Sequence, residues 1–127
     1  AVPAGPEISF RRDARTVVVE RDVAQTIIVL AGGTGLDPRD THTTNRSSLA
    51  NSVLSGGPAS RLFRSLREDL GATYGSSSQF VPFGDGAVAF LISSAVDHAL
   101  AQKALATLRE GYGRFHREGV TEAELAP

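Results

Sequence analysis

The sequence predicts an α+β fold: a two-layer sandwich with a mostly antiparallel sheet and helices on one face, in the order β-β-α-α-β-β-α. Three observations carry this. Four runs, Thr16–Glu20, Gln25–Ala31, Thr73–Val81 and Ala87–Ala95, have strand-like composition. Three segments between and after them place apolar residues at helical spacing. Gly, Pro and Asp punctuate the joints between these runs.

In order along the chain, residues 1–15 read as a linker or lead-in segment. Thr16–Glu20 is β-branched, and Arg21-Asp22 marks a turn. Gln25–Ala31 is nearly continuous in apolar residues, the pattern of a strand covered on both faces. Gly32-Gly33-Thr34-Gly35 ends it as a turn; it lacks the Gly-Lys-Ser/Thr ending of a phosphate loop. Asp40 or Thr41 is placed to cap a helix that carries Leu49, Val53 and Leu54 up to a Gly56-Gly57-Pro58 break. Pro58 suits the first turn of the next helix, where a missing N–H costs nothing. In that helix Leu62, Leu66 and Leu70 recur every four residues, Arg61, Arg64 and Arg67 line another face, and Gly71 is the expected left-handed stop. Pro82-Phe83-Gly84-Asp85-Gly86 joins the last two strands as a hairpin. Asp97 then caps a long helix with Leu100, Ala104, Leu108, Tyr112 and Phe115 on its buried face, and Gly119 ends it. Thr121 and Glu124 form a capping box that opens one more helix. A helix begun so close to Pro127 suggests a truncated fragment of a larger domain.

Composition narrows the function classes. A chain of 127 residues is one domain or less. The net charge of −1, with Lys103 as the only Lys, argues against a nucleic-acid footprint. With no Cys, disulfides, thiolate metal sites and Cys nucleophiles are excluded. No apolar run approaches the length of a membrane span, and Ala1–Phe10 lacks the pattern of a secretory leader. Without a Gly-x-Ser-x-Gly elbow, Ser76, Ser77 and Ser78 are not expected to act as nucleophiles. His42, His98 and His116 are far apart in sequence and form no His-x-x-Glu-His motif, so each is expected at the surface and no metal site is expected.

The run Gly56-Gly57-Pro58-Ala59-Ser60-Arg61-Leu62, followed by Leu66-Arg67-Glu68, Gly71 and Tyr74, resembles a pattern of the pitrilysin/insulinase family of zinc metallopeptidases. The similarity is to the C-terminal, non-catalytic domain of that family, which includes the mitochondrial processing peptidases and bacterial two-subunit peptidases. Ala24-Gln25-Thr26, Gly35-Leu36 before Asp37-Pro38-Arg39-Asp40, and Gly119–Leu125 resemble its flanking elements. Residues 16–127 would then be a partial domain of this type, half of a metallohydrolase-like unit.

The resemblance implies a role without a metal of its own. In the family, an Arg and a Tyr reach from the non-catalytic half to the zinc site of a partner half and hold the substrate carbonyl. Arg67 and Tyr74 match that pair. A guanidinium and a phenol are donors suited to an oxygen that gains negative charge. The alternative is that Arg67 pairs with Glu68 or Asp69 and Tyr74 is a half-buried strand residue. Gly56 and Gly57 match the start of a substrate-contacting glycine loop, although a plain helix-to-helix hinge fits them better. Arg61 and Arg64 read as a solvated face. The implied partners are a catalytic domain or subunit that carries the zinc, and an unfolded peptide or presequence as substrate. The sequence leaves the compartment open, with bacterial periplasm or cytoplasm as the expectation. Two rivals remain: a purely structural assembly subunit of the same family, and a ferredoxin-like small-molecule binder.

Overall fold

A computed structural model describes residues 8–71, 75–84 and 86–126. Among the described residues the strands are β1 (Gln25–Gly33), β2 (Ser76–Phe83) and β3 (Ala87–Asp97), and the helices are α1 (Thr41–Ser55), α2 (Arg61–Leu70), α3 (Ala101–Glu118) and the short α4 (Glu122–Leu125). A 3₁₀ turn, His98–Leu100, precedes α3. The sheet is antiparallel throughout, in the order β1-β3-β2, with Ile28 opposite Ser94 on one side and Ser78 opposite Ile92 on the other. β3 is therefore central. Pro82, which has no N–H to give a ladder, sits on the edge strand β2.

One face of the sheet builds the core. Ile28, Ile92 and Val96 meet Leu54 of α1, Leu62 and Leu66 of α2, and Ala104 and Leu108 of α3. The leucine stripe of α2 thus faces inward as its spacing predicts. Gly111 lets α3 close on α2: a Cβ there would lie 2.8 Å from the Leu62 Cδ2 atom. α1 starts as expected, with the Asp40 carboxylate accepting from the Thr43 N–H at 3.1 Å. The capping box of α4 also forms, with the Glu124 carboxylate accepting from the Thr121 N–H at 2.8 Å.

Several expectations need correction. Thr16–Glu20 joins no ladder with the described residues; Val17, Val18 and Val19 are 71–78% exposed. β-branched composition favours an extended backbone, but a strand also needs a partner, and the described residues supply none. β1 is covered on one face only: Ile28 is buried, while Ile27 and Val29 are 73% and 54% exposed. Phe10 packs at the far end of that face, against Gly33 and edge-on to Phe83. Gly32 and Gly33 continue the strand rather than forming a turn, and Thr34 closes it with its N–H and hydroxyl both donated to the Val88 carbonyl. Pro58 precedes α2 in a separate turn, where the Ser60 N–H donates to the Gly57 carbonyl at 2.9 Å. Asp97 flanks the 3₁₀ turn and makes no side-chain cap bond there. Tyr112 is 38% exposed, not buried.

Candidate functional site

The end of α2 is where the sequence points for function. The Gly71 N–H donates to the Arg67 carbonyl at 3.0 Å, and Gly71 adopts the left-handed conformation with φ 67°. A β-carbon is disfavoured there, so glycine is the residue that stops the helix cheaply and turns the chain away. Arg67 lies in the last turn, exposed, and forms no ion pair with any described residue. The Asp69 carboxylate, a candidate partner, is instead bonded by the Thr107 hydroxyl at 2.7 Å. A cation in the last turn of a helix is favoured by the macrodipole, so Arg67 is held there without a carboxylate. Tyr74 lies outside the described residues. Its neighbour Gly75 is within them, and the Gly75 carbonyl accepts from the Ser94 hydroxyl at 3.1 Å.

The glycine break is a second feature. Gly57 has φ 138°, a conformation that side chains with a β-carbon rarely adopt, and a Cβ on Gly56 would run into the Ser52 carbonyl. The Ser60 hydroxyl donates to the Gly57 carbonyl at 2.6 Å and closes the turn. Both glycines thus have a local backbone reason, which is that of a hinge between α1 and α2. A cavity of about 450 Å³ opens beside the hinge, edged by Leu49, Val53, Gly57 and Arg64.

Arg61 corrects the expectation of a solvated face. Its side chain is 17% exposed. It forks onto Glu124, with Nε to Oε1 at 2.6 Å and Nη2 to Oε2 at 2.7 Å, and Nη2 also donates to the Gly119 carbonyl at 2.8 Å. Its guanidinium lies 5.2 Å from the Phe115 ring centroid. Glu118 adds a looser contact at 3.8 Å. The guanidinium hydrogen bonds, helped by the Thr121 N–H, lower the Glu124 carboxyl to about 2. Arg61 is thus a staple between the start of α2 and the joint of α3 with α4, and faces no solvent cleft. Arg64 stays exposed.

The remaining polar residues build structure rather than an acid–base centre. Asn51, Ser55 and Ser78 bond to one another between α1 and β2, so Ser78 is a bridge. His98 Nδ1 lies 2.9 Å from the Thr26 hydroxyl, His116 stacks on Tyr112, and His42 is exposed in the first turn of α1. Among the described residues no three His, Cys, Asp or Glu side chains are grouped to hold a metal. A ring-lined cavity of about 300 Å³ lies between α1, α3 and the sheet, walled by Phe80, Phe90, Tyr112 and Phe115. Its titratable lining side chains among the described residues are Tyr112 and His116, whose rings stack on each other with centroids 6.2 Å apart. No described helix is long and apolar enough to cross a membrane.

Sequence reading missed Arg61–Glu124, Thr107–Asp69 and Ser94–Gly75. Two of these carried a signal. Thr107 interrupts the apolar stripe of α3 between Ala104 and Leu108, and Ser94 interrupts the inward alternation of Ile92 and Val96. A polar residue on a buried face must find a partner.

Comparison with known proteins is consistent with this geometry. A family model described as the peptidase M16 inactive domain matches residues 3–126. Among solved structures, the chain is similar to a peptidase M16 inactive domain from Pseudomonas fluorescens, with 31% sequence identity and a TM-score of 0.71. That match covers 81% of this chain and 24% of the other, so the chain spans about a quarter of the length of the structure it matches. No curated protein matches.

Proposed function

The chain belongs to the peptidase M16 inactive-domain family, and from that premise we propose that it is the non-catalytic part of a zinc peptidase, contributing Arg67 and Tyr74 to a zinc site on a partner half. The observation that carries this reading is the exposed Arg67 at the end of α2, a cation that no described carboxylate neutralises. Asp69, two residues on, points to another side of the helix and is bonded by Thr107.

The chemistry of these two side chains follows from their donors. When a peptide carbonyl is attacked, its oxygen gains negative charge. A guanidinium N–H and a phenolic O–H aimed at that oxygen stabilise it more as the charge grows, which lowers the barrier rather than merely tightening binding. The described residues supply no ligand set for zinc. On this reading the metal and its water belong to the partner half, and this chain's part is to bind and orient the carbonyl. The substrate class is an unfolded peptide or presequence. Gly56 and Gly57 are assigned to the hinge and not to substrate.

The test is peptide cleavage by the assembled peptidase. Arg67→Ala and Tyr74→Phe should each lower kcat/KM by about 10², the scale of losing one oxyanion donor. Wild-type rates in both variants would overturn the assignment and leave the chain as an assembly subunit.

A further inference from the structure

Arg61 sits where a cation is disfavoured and is held there by a two-pronged contact. It is the first residue of α2, at the positive end of the helix dipole. Its side chain is 17% exposed, and Nη1 is buried without a hydrogen bond to any described residue, 3.8 Å from a Glu118 carboxylate oxygen. Nε and Nη2 fork onto the two oxygens of Glu124 at 2.6 and 2.7 Å, and Nη2 also donates to the Gly119 carbonyl at 2.8 Å. The start of α2 is thereby tied to the end of α3 and to α4.

Stability is a weak reason for such a pair. Its two charges give up hydration, and apolar side chains of similar volume often serve as well or better. What apolar contacts lack is direction. Leu62 and Leu66 press one side of α2 onto the core, but apolar burial is non-directional and leaves a helix able to slide or turn about its axis. Two parallel bonds from a planar guanidinium to a carboxylate set both distance and angle. Arg61 and Arg67 share this ten-residue helix, the first half-buried and the second exposed on another side. The step between them is about 9 Å along the axis. A tilt of about 10° at the start of α2 would therefore move Arg67 by about 1.5 Å. Displacing a positioned group by about 1 Å can cost up to 10² in rate.

We propose that Arg61 is a positioning residue: its fork onto Glu124 sets the angle and axial position of α2, and so the place where Arg67 meets the substrate carbonyl. It acts through the helix and does not touch substrate. The inference rests on the reading of Arg67 given above.

The experiment measures kcat and KM separately in the assembled peptidase. Arg61→Lys keeps the charge but loses the fork. Glu124→Gln keeps a side chain able to cap at Thr121 but loses the charge that Arg61 grips. Each should lower kcat about tenfold with KM near wild type, because a misaimed donor is felt in the transition state more than in the bound substrate. In an Arg67→Ala background both should cost little more, since the group they aim is already gone. Asp40→Ala removes the cap of α1 and lowers stability away from α2, and should leave kcat and KM unchanged. A lower melting temperature with wild-type kcat in Arg61→Lys and Glu124→Gln, or the same fold-loss in both backgrounds, would make the staple purely structural and overturn the proposal. A tenfold loss of kcat in Asp40→Ala would also overturn it, by assigning the effect to stability in general. Should Arg61→Lys fail to fold, Glu124→Gln carries the same cycle. Wild-type rates in Arg67→Ala would instead remove the reading of Arg67, and the role of the staple with it. A loss in Arg67→Ala with wild-type rates in Arg61→Lys and Glu124→Gln would remove the role of the staple alone.

Discussion

Truncating Leu66 tests the packing that places the candidate site. Leu66 is 1% exposed in the core cluster, and Arg67 follows it directly on α2. Leu66→Ala removes three buried carbons, which at about 0.8 kcal/mol each sets a floor near 2 kcal/mol. The cavity left between α2, α3 and the sheet raises this to about 3 kcal/mol. A domain of ordinary stability has about 5–15 kcal/mol in total, so the loss is a large share of the whole. It should lower the melting temperature by about 10 °C. The assay is urea unfolding followed by circular dichroism, with the midpoint falling and the m-value unchanged. Leu49→Ala serves as the control: Leu49 is 55% exposed, and its loss should stay within about 0.5 kcal/mol. Equal losses in the two variants, or a loss under about 1 kcal/mol for Leu66→Ala, would refute the inward face of α2 as described.

Three further outcomes follow from the same coordinates. Glu124→Gln keeps a side chain able to serve the capping box but removes the charge facing Arg61. Glu124 is lowered from 4.5 to about 2, so its stabilisation is fully present above pH 4.5 and is lost as pH falls toward 2. The stability gap between wild type and variant, measured by denaturant titration across pH, should therefore be widest near neutrality and close in that window. Asp40→Ala removes the acceptor for the Thr43 N–H and should cost about 1 kcal/mol by thermal unfolding. Ile27→Lys should be nearly neutral, within about 0.5 kcal/mol, because Ile27 points away from the core at 73% exposure; Ile28→Lys should abolish cooperative unfolding.

Most of the fold was legible because it rests on local rules. The leucine spacing of α2, the glycine stop at Gly71, the acid at Asp40 and the capping box at Thr121 each act within a few residues of sequence. What failed depended on distant partners. Three consecutive valines read as a strand, but pairing is settled by a second strand that sequence does not place, and Val17–Val19 have none among the described residues. The apolar run of β1 suggested cover on both faces, yet a layer of helices reaches only one. Arg61 looked solvated because its partner lies 63 residues away, beyond any helical period. For the site, the sequence motif singled out Arg67 and Tyr74, and the structure adds an exposed Arg67 in the last turn of α2. The bonds of Thr107 to Asp69 and of Ser94 to Gly75 follow from topology, since α3 and β3 come later in the chain than α2.

The most direct measurement is a structure of this domain assembled with the zinc-bearing half proposed for it and a peptide analogue whose oxygen mimics the attacked carbonyl. The account predicts a guanidinium nitrogen of Arg67 and the Tyr74 hydroxyl within about 3 Å of that oxygen. Both groups turned away from it, with Arg67 paired to a carboxylate of its own domain, would contradict it.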